Sequence, residues 1–118
     1  MSITEMVNKT KKGNRYELEA RKMLKEEGYL VEKKNYSRWE SNDFWGLFDI
    51  LAIKLDKLEI RLIQIKSNPT HFYEARREIG LWMDKNNAKS GKGFSCEVWL
   101  REPRKAWRKE IITPQNAP

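Results

Sequence analysis

Cysteine and histidine are almost missing from this chain, which has one of each, Cys96 and His71. A single cysteine excludes an internal disulfide framework and any cysteine-based zinc site. A single histidine leaves little material for zinc chemistry or for a Ser-His-Asp arrangement. Long apolar runs are missing too. No stretch approaches membrane-spanning length, and Met1–Glu5 has no signal-peptide-like apolar region. There is no internal repeat and no low-complexity tract. A soluble cytoplasmic protein without a membrane partner is therefore expected.

What the chain does have is charge and aromatic surface. Lys and Arg number 24 against 17 Asp and Glu, a net charge of +7, and there are five Trp, four Tyr and four Phe. Such a balance favours polyanionic partners, of which nucleic acid is the commonest, over a merely basic soluble protein. A length of 118 residues supplies one core and not two. One domain over residues 1–118 is expected, with its organised part at about 11–112 and a frayed tail at 113–118.

Apolar spacing places the elements. Tyr16, Ala20, Met23 and Leu24 repeat with helical period and predict an amphipathic helix over Arg15–Glu27, stopped by Gly28. Ahead of it lies a basic lead-in, Lys9–Gly13. Glu17 borders the apolar stripe, whereas Glu19 points to solvent. Two readings of Glu17 stay open: an inward-reaching carboxylate, or a first-turn acid favoured by the helix dipole. Tyr29–Lys33 reads as a short strand and 35–43 as loop. Phe48–Leu55 and Leu58–Ser67 read as two strands joined at Asp56-Lys57, each nearly continuous in apolar residues, the mark of strands covered on both faces. Asn68-Pro69-Thr70 opens a second helix that runs to about Asn86, with Phe72, Ala75, Ile79, Trp82 and Met83 as its core stripe. His71, near that helix entrance, reads as a surface residue, with a phosphate contact as the alternative. Phe94–Leu100 is a further strand, with Cys96 as a small buried residue, and a short edge strand ends at Ile111-Ile112.

Three polar intrusions in the apolar strands carry the chemistry: Asp49, Gln64 and Lys66. Ionisable groups rarely interrupt such runs without a partner, a metal or a reaction that needs them. Alternation puts Gln64 and Lys66 on one face, about 7 Å apart along the strand. A turn centred on Asp56-Lys57 sets Asp49 opposite Gln64 at the open end of the hairpin, on the face of Leu51 and Ile53. A cross-strand Asp-Lys ion pair is the bland alternative. With Glu17, these groups can converge on one divalent cation beside a phosphodiester.

Gly13-x-x-x-Glu17 in an early helix, Asp49 in one strand and Gln64-x-Lys66 in the next resemble the PD-(D/E)xK nuclease superfamily. Within it the chain is most similar to the archaeal Holliday junction resolvases and the Mrr-like restriction nucleases. The resemblance covers about residues 11–100. It implies an α/β fold with a restriction-endonuclease-like core: a central mixed β-sheet of four to five strands flanked by helices, in the order αβββαβ. It also implies a metal-dependent DNA endonuclease acting on branched DNA, with a homodimer to make paired cuts. Nuclease action on other DNA forms in repair, nicking or defence is the alternative. A DNA-binding module with a lapsed site is an alternative of another class. The resemblance assigns Glu17 as the helix acid, Asp49 as the central metal-binding aspartate and Lys66 as the catalytic lysine. Gln64 stands where Asp or Glu is usual, a change found in Mrr-like relatives, and Phe48 replaces the usual proline. A bound Mg²⁺ or Mn²⁺ is expected on Asp49, the Ile65 backbone carbonyl and the Gln64 amide oxygen, with Glu17 bound directly or through water.

Phosphate contacts are expected from the lead-in (Lys9, Lys11, Lys12, Arg15), from Arg38 and Lys89, and from Arg101, Arg104, Lys105, Arg108 and Lys109. Trp39 and Trp45 are candidates for stacking on exposed bases, or alternatively for hydrophobic lids. Ser37 and Ser41 lie where junction resolvases carry a mobile loop.

Overall fold

The computed structural model describes residues 3–36, 41–42 and 44–114, with side chains described over 15–34 and 44–114. Helix α1 runs Ile3–Glu26, so the basic lead-in is helical and does not precede the helix. Gly13 sits inside α1 and costs about 1 kcal/mol relative to alanine. The predicted stripe is the buried one: Tyr16, Ala20 and Leu24 are all buried. The stop is also the predicted one. Gly28 takes φ 96°, its N–H donates to the Lys25 carbonyl, and the Tyr29 N–H donates to that of Leu24. These two bonds form a Schellman cap, and glycine carries the left-handed backbone it needs.

Strands β1 (Leu30–Lys33), β4 (Ile50–Lys54), β5 (Glu59–Lys66), β6 (Phe94–Leu100) and β7 (Arg108–Ile112) form one sheet in the order β1-β4-β5-β6-β7. All neighbours are antiparallel except β5 and β6. The α/β fold with a mixed five-stranded sheet and flanking helices is thus as expected. One segment differs: within 35–43, read as loop, β2 (Asn35–Tyr36) and β3 (Ser41–Asn42) pair as a small separate ribbon.

The β4–β5 register has Ile50 opposite Ile63 and Lys54 opposite Glu59, which is the pairing a turn centred on Asp56-Lys57 requires. Helix α2 (Pro69–Lys85) crosses from β5 to β6, capped by Asn68, whose side-chain oxygen accepts from the N–H groups of Thr70 and His71.

Two apolar clusters fill the two faces of the sheet. Ala20 and Leu24 of α1 pack with Ile50, Ala52, Ile63 and Trp99. On the other face Phe72, Ala75, Ile79 and Met83 of α2 pack with Phe48, Leu62, Cys96, Val98 and Leu100. Cover on both faces, expected for the whole hairpin, holds for its centre only. Helix α2 lies over β5, β6 and β7, so Leu30 and Ile60 stay exposed and Leu51 and Ile53 line a shallow groove beside β1. Cys96 is fully buried, and burial pushes its thiol up to about 12, which fits the small core residue expected there.

Candidate active site

Strand β6 runs parallel to β5, so Lys66, at the end of β5, lies beside Leu100 at the end of β6. The start of β4, the entrance to α2 and the loop after β6 gather at this end of the sheet. Asp49 sits one residue before β4. Its backbone N–H donates to the Ile63 carbonyl (2.9 Å), although Ile63 already stands opposite Ile50. This bond is one residue off the ladder's register, so regular pairing, and with it the alternation of faces, ends at Ile50. This corrects the orientation read from alternation. Asp49 does not follow the face of Leu51. It turns into the seam where β4 parts from β5 and accepts from the Ile65 N–H through Oδ2 at 2.7 Å.

The same seam faces the Ile65 carbonyl. A strand residue sends its N–H and C=O to the same edge, and successive residues alternate edges. The Lys66 carbonyl turns the other way and accepts from the Arg101 N–H at 2.9 Å, leaving the Ile65 carbonyl on the Asp49 side. Gln64 and Lys66 flank Ile65 on the opposite face. Gln64 is 8% exposed, and its Oε1 is buried with no hydrogen-bond partner. Lys66 is half-buried, and among the described residues its ammonium makes no ion pair.

Glu17 reaches this place from α1 through a residue that stands out little in the sequence. Lys34, just beyond β1, places its Nζ 2.8 Å from Asp49 Oδ1 and 3.2 Å from Glu17 Oε1. Its N–H also donates to the Asp49 carbonyl at 3.0 Å. In sequence it closes the run Glu32-Lys33-Lys34, which reads as solvated charge, and its only signal is its place at the end of a strand paired with β4. Burial raises the Asp49 carboxyl above its ordinary range; Lys34 and the Ile65 N–H pull it back only in part.

The donors fit a hard divalent cation. Asp49, the Ile65 carbonyl and the partnerless Gln64 Oε1 are all oxygens, the ligand type that Mg²⁺ and Mn²⁺ take. Among the described residues no three His, Cys, Asp or Glu side chains cluster as a metal site. A cation here would therefore depend on Gln64 and on backbone oxygen.

The basic residues divide between the two ends of the sheet. Arg104 and Lys105 are exposed in the loop after β6, at the Lys66 end. Arg15 is exposed on α1, its guanidinium over the Tyr16 ring. Lys89 follows α2 and lies at the far end, near the start of β6. Arg101 holds its own loop by donating to the Glu102 and Lys105 carbonyls and pairs with Glu19, so Glu19, read as solvent-facing, has partners in Arg101 and Trp107. Arg108 and Lys109 lie over aromatic rings. The backbone of Lys11 and Lys12 is in α1, but their side chains are outside the described ones, and Ser37, Arg38 and Trp39 are outside the described residues altogether. Trp45, at φ 52°, is 64% exposed and rests against Trp82.

At the far end lies an ion pair between a half-buried arginine and a buried glutamate that has no signature in the sequence. Arg61 donates to both oxygens of Glu97 (2.7 and 2.9 Å), and Ser95 and Trp99 also donate to that carboxylate. Burial pushes the Glu97 carboxyl up, but these hydrogen bonds outweigh it and hold the group below its ordinary range.

No protein-family model matches the chain, and no curated protein does. Among solved structures it is similar to Hjc of Archaeoglobus fulgidus, a Holliday junction resolvase from an archaeal hyperthermophile. The two share 19% identity and a TM-score of 0.52, over 88% of this chain and 74% of that one. A likeness at that identity is one of fold. Among the described residues no helix is long and apolar enough to cross a membrane.

Proposed function

We propose that the chain is a divalent-metal-dependent DNA endonuclease whose leading substrate is branched duplex DNA of the Holliday-junction kind. The observation that carries this reading is the position of Asp49. Its carboxylate accepts from the N–H of Ile65, the residue after Gln64 with its partnerless Oε1, and shares the Lys34 ammonium with Glu17. A fold like that of a junction resolvase supports it, as does a net charge of +7.

Asp49, the Ile65 carbonyl and Gln64 Oε1 would hold the metal, with Glu17 joining directly or through water. When bound, Mg²⁺ or Mn²⁺ neutralises phosphate oxygens and acidifies a water. The chain's own residues do the rest. The Ile65 N–H fixes the Asp49 carboxylate in one orientation. Lys66 orients the attacking water or stabilises the charge that gathers on the phosphate in the transition state. Arg15, Arg104 and Lys105, together with Lys11 and Lys12, neutralise neighbouring phosphates and add salt-dependent affinity. Paired cuts in a four-way junction call for a homodimer.

A second reading is a DNA-binding module that no longer hydrolyses, favoured by Gln64 in the place of a carboxylate and by Lys34 lodged between the two acids. Labelled four-way junction, linear duplex and single strands, each incubated with Mg²⁺, Mn²⁺ or EDTA, separate the two. Metal-dependent cutting of the junction above the other substrates is expected. Junction binding without cutting in any metal supports the module. Equal cutting of duplex and junction keeps the nuclease and removes the junction preference.

A further inference from the structure

The two site acids are held together by a cation the chain itself supplies. Asp49 is 6% exposed at its side chain, Glu17 12% and Lys34 18%, with the ammonium between the two carboxylates. Two carboxylates this close and this dry repel each other unless a positive charge lies between them. Lys34 meets that need, and it does so on Asp49 Oδ1, the carboxylate oxygen that the Ile65 N–H does not take. Its backbone is pinned to the Asp49 carbonyl, but its ammonium ends a four-carbon stem with freely rotating bonds. It can leave the acids while β1 and β4 stay paired.

We propose that Lys34 is a tethered counter-ion that competes with the divalent metal for the Glu17–Asp49 pair and so sets the metal affinity of the site. The inference rests on the metal site proposed for Asp49. In the metal-free protein Lys34 neutralises the acids and keeps them folded inward. On metal binding its ammonium is displaced toward solvent, where an incoming phosphate is a ready partner. Gln64 sharpens the competition, because a site with one carboxylate fewer holds a metal less firmly against an internal rival.

The test uses Mn²⁺ alone, without DNA, titrated into the full chain and followed by the electron paramagnetic resonance signal of the free ion. Lys34→Met is expected to bind Mn²⁺ about ten-fold more tightly than the natural chain. Lys34→Arg, which keeps the charge, should stay near the natural value. Adding Asp49→Asn to Lys34→Met should abolish the gain. If Lys34→Met does not fold by circular dichroism, Lys34→Gln is measured against the same criterion. A folded neutral variant that binds Mn²⁺ no more tightly than the natural chain overturns the proposal while the metal site stands. If neither chain binds Mn²⁺, the metal site itself fails and takes this inference with it.

Discussion

Replacing Gln64 by Glu should have opposite effects with and without metal. Gln64 is 8% exposed, and its Oε1 already lacks a hydrogen-bond partner, so the new carboxylate enters a dry place next to the residue that anchors Asp49. Burial already raises the Asp49 carboxyl, and a second nearby negative charge raises both further. Without metal the substitution should cost about 2–3 kcal/mol at neutral pH. For a domain of this length each kcal/mol shifts the melting temperature by about 4 °C, so Gln64→Glu should melt about 8–12 °C lower. With Mn²⁺ at about a hundred times its dissociation constant, roughly 2.7 kcal/mol returns, because the ion binds only the folded chain. The natural chain, with one ligand charge fewer, should gain less at the same Mn²⁺ concentration. Thermal unfolding of both chains with Mn²⁺ and with EDTA reads this directly. If the Mn²⁺-induced rise of Gln64→Glu is no larger than that of the natural chain, Gln64 does not face the metal and the donor set is wrong.

Lys66→Met should lower cleavage about 10²- to 10³-fold by removing transition-state charge stabilisation, with Mn²⁺ affinity unchanged; single-turnover kinetics beside a metal titration would expose a purely structural role if both fell. Glu97→Gln should cost about 3 kcal/mol in urea unfolding, because Arg61 loses its buried partner. The folded Glu97 carboxyl is held below its ordinary 4.5, so the stability it contributes is present above that pH and is lost as pH falls through the lower folded value. Unfolding of the natural chain should steepen below about pH 4.5 and that of Glu97→Gln should not; equal acid profiles would refute the assignment. Replacing Arg104 and Lys105 together by Ala should weaken binding alike on junction and duplex and reduce the salt slope by about 0.9 for each phosphate that is no longer neutralised; an unchanged slope would place DNA elsewhere.

Particular residues explain why some of this architecture is legible in the sequence and some is not. The β4–β5 register can be read because a short turn and two apolar runs leave one pairing that buries both strands. The second helix is legible through Asn68-Pro69 and its stripe, and the first through Gly28, since a left-handed cap selects glycine. The upstream part of α1 is not, because a basic stretch containing Gly13 has no apolar period of its own. The orientation of Asp49 escapes because it lies one residue outside β4, where the regular pairing from which alternation is read has ended. Lys34 and the Arg61–Glu97 pair escape for a different reason. Each joins residues distant in the chain whose local sequence looks like ordinary surface charge, and only the folded sheet brings them together.

The proposed nuclease depends on Asp49, docked on the Ile65 N–H, as the seat of its metal. Asp49→Asn tests it most directly, because the amide keeps the shape and an oxygen for Ile65 but removes the charge that holds the cation. The natural chain should cut a labelled four-way junction in Mn²⁺ and not in EDTA, and Asp49→Asn should remain folded and leave the junction intact in Mn²⁺. Metal-dependent cleavage that survives in Asp49→Asn would rule out Asp49 as the seat of the metal.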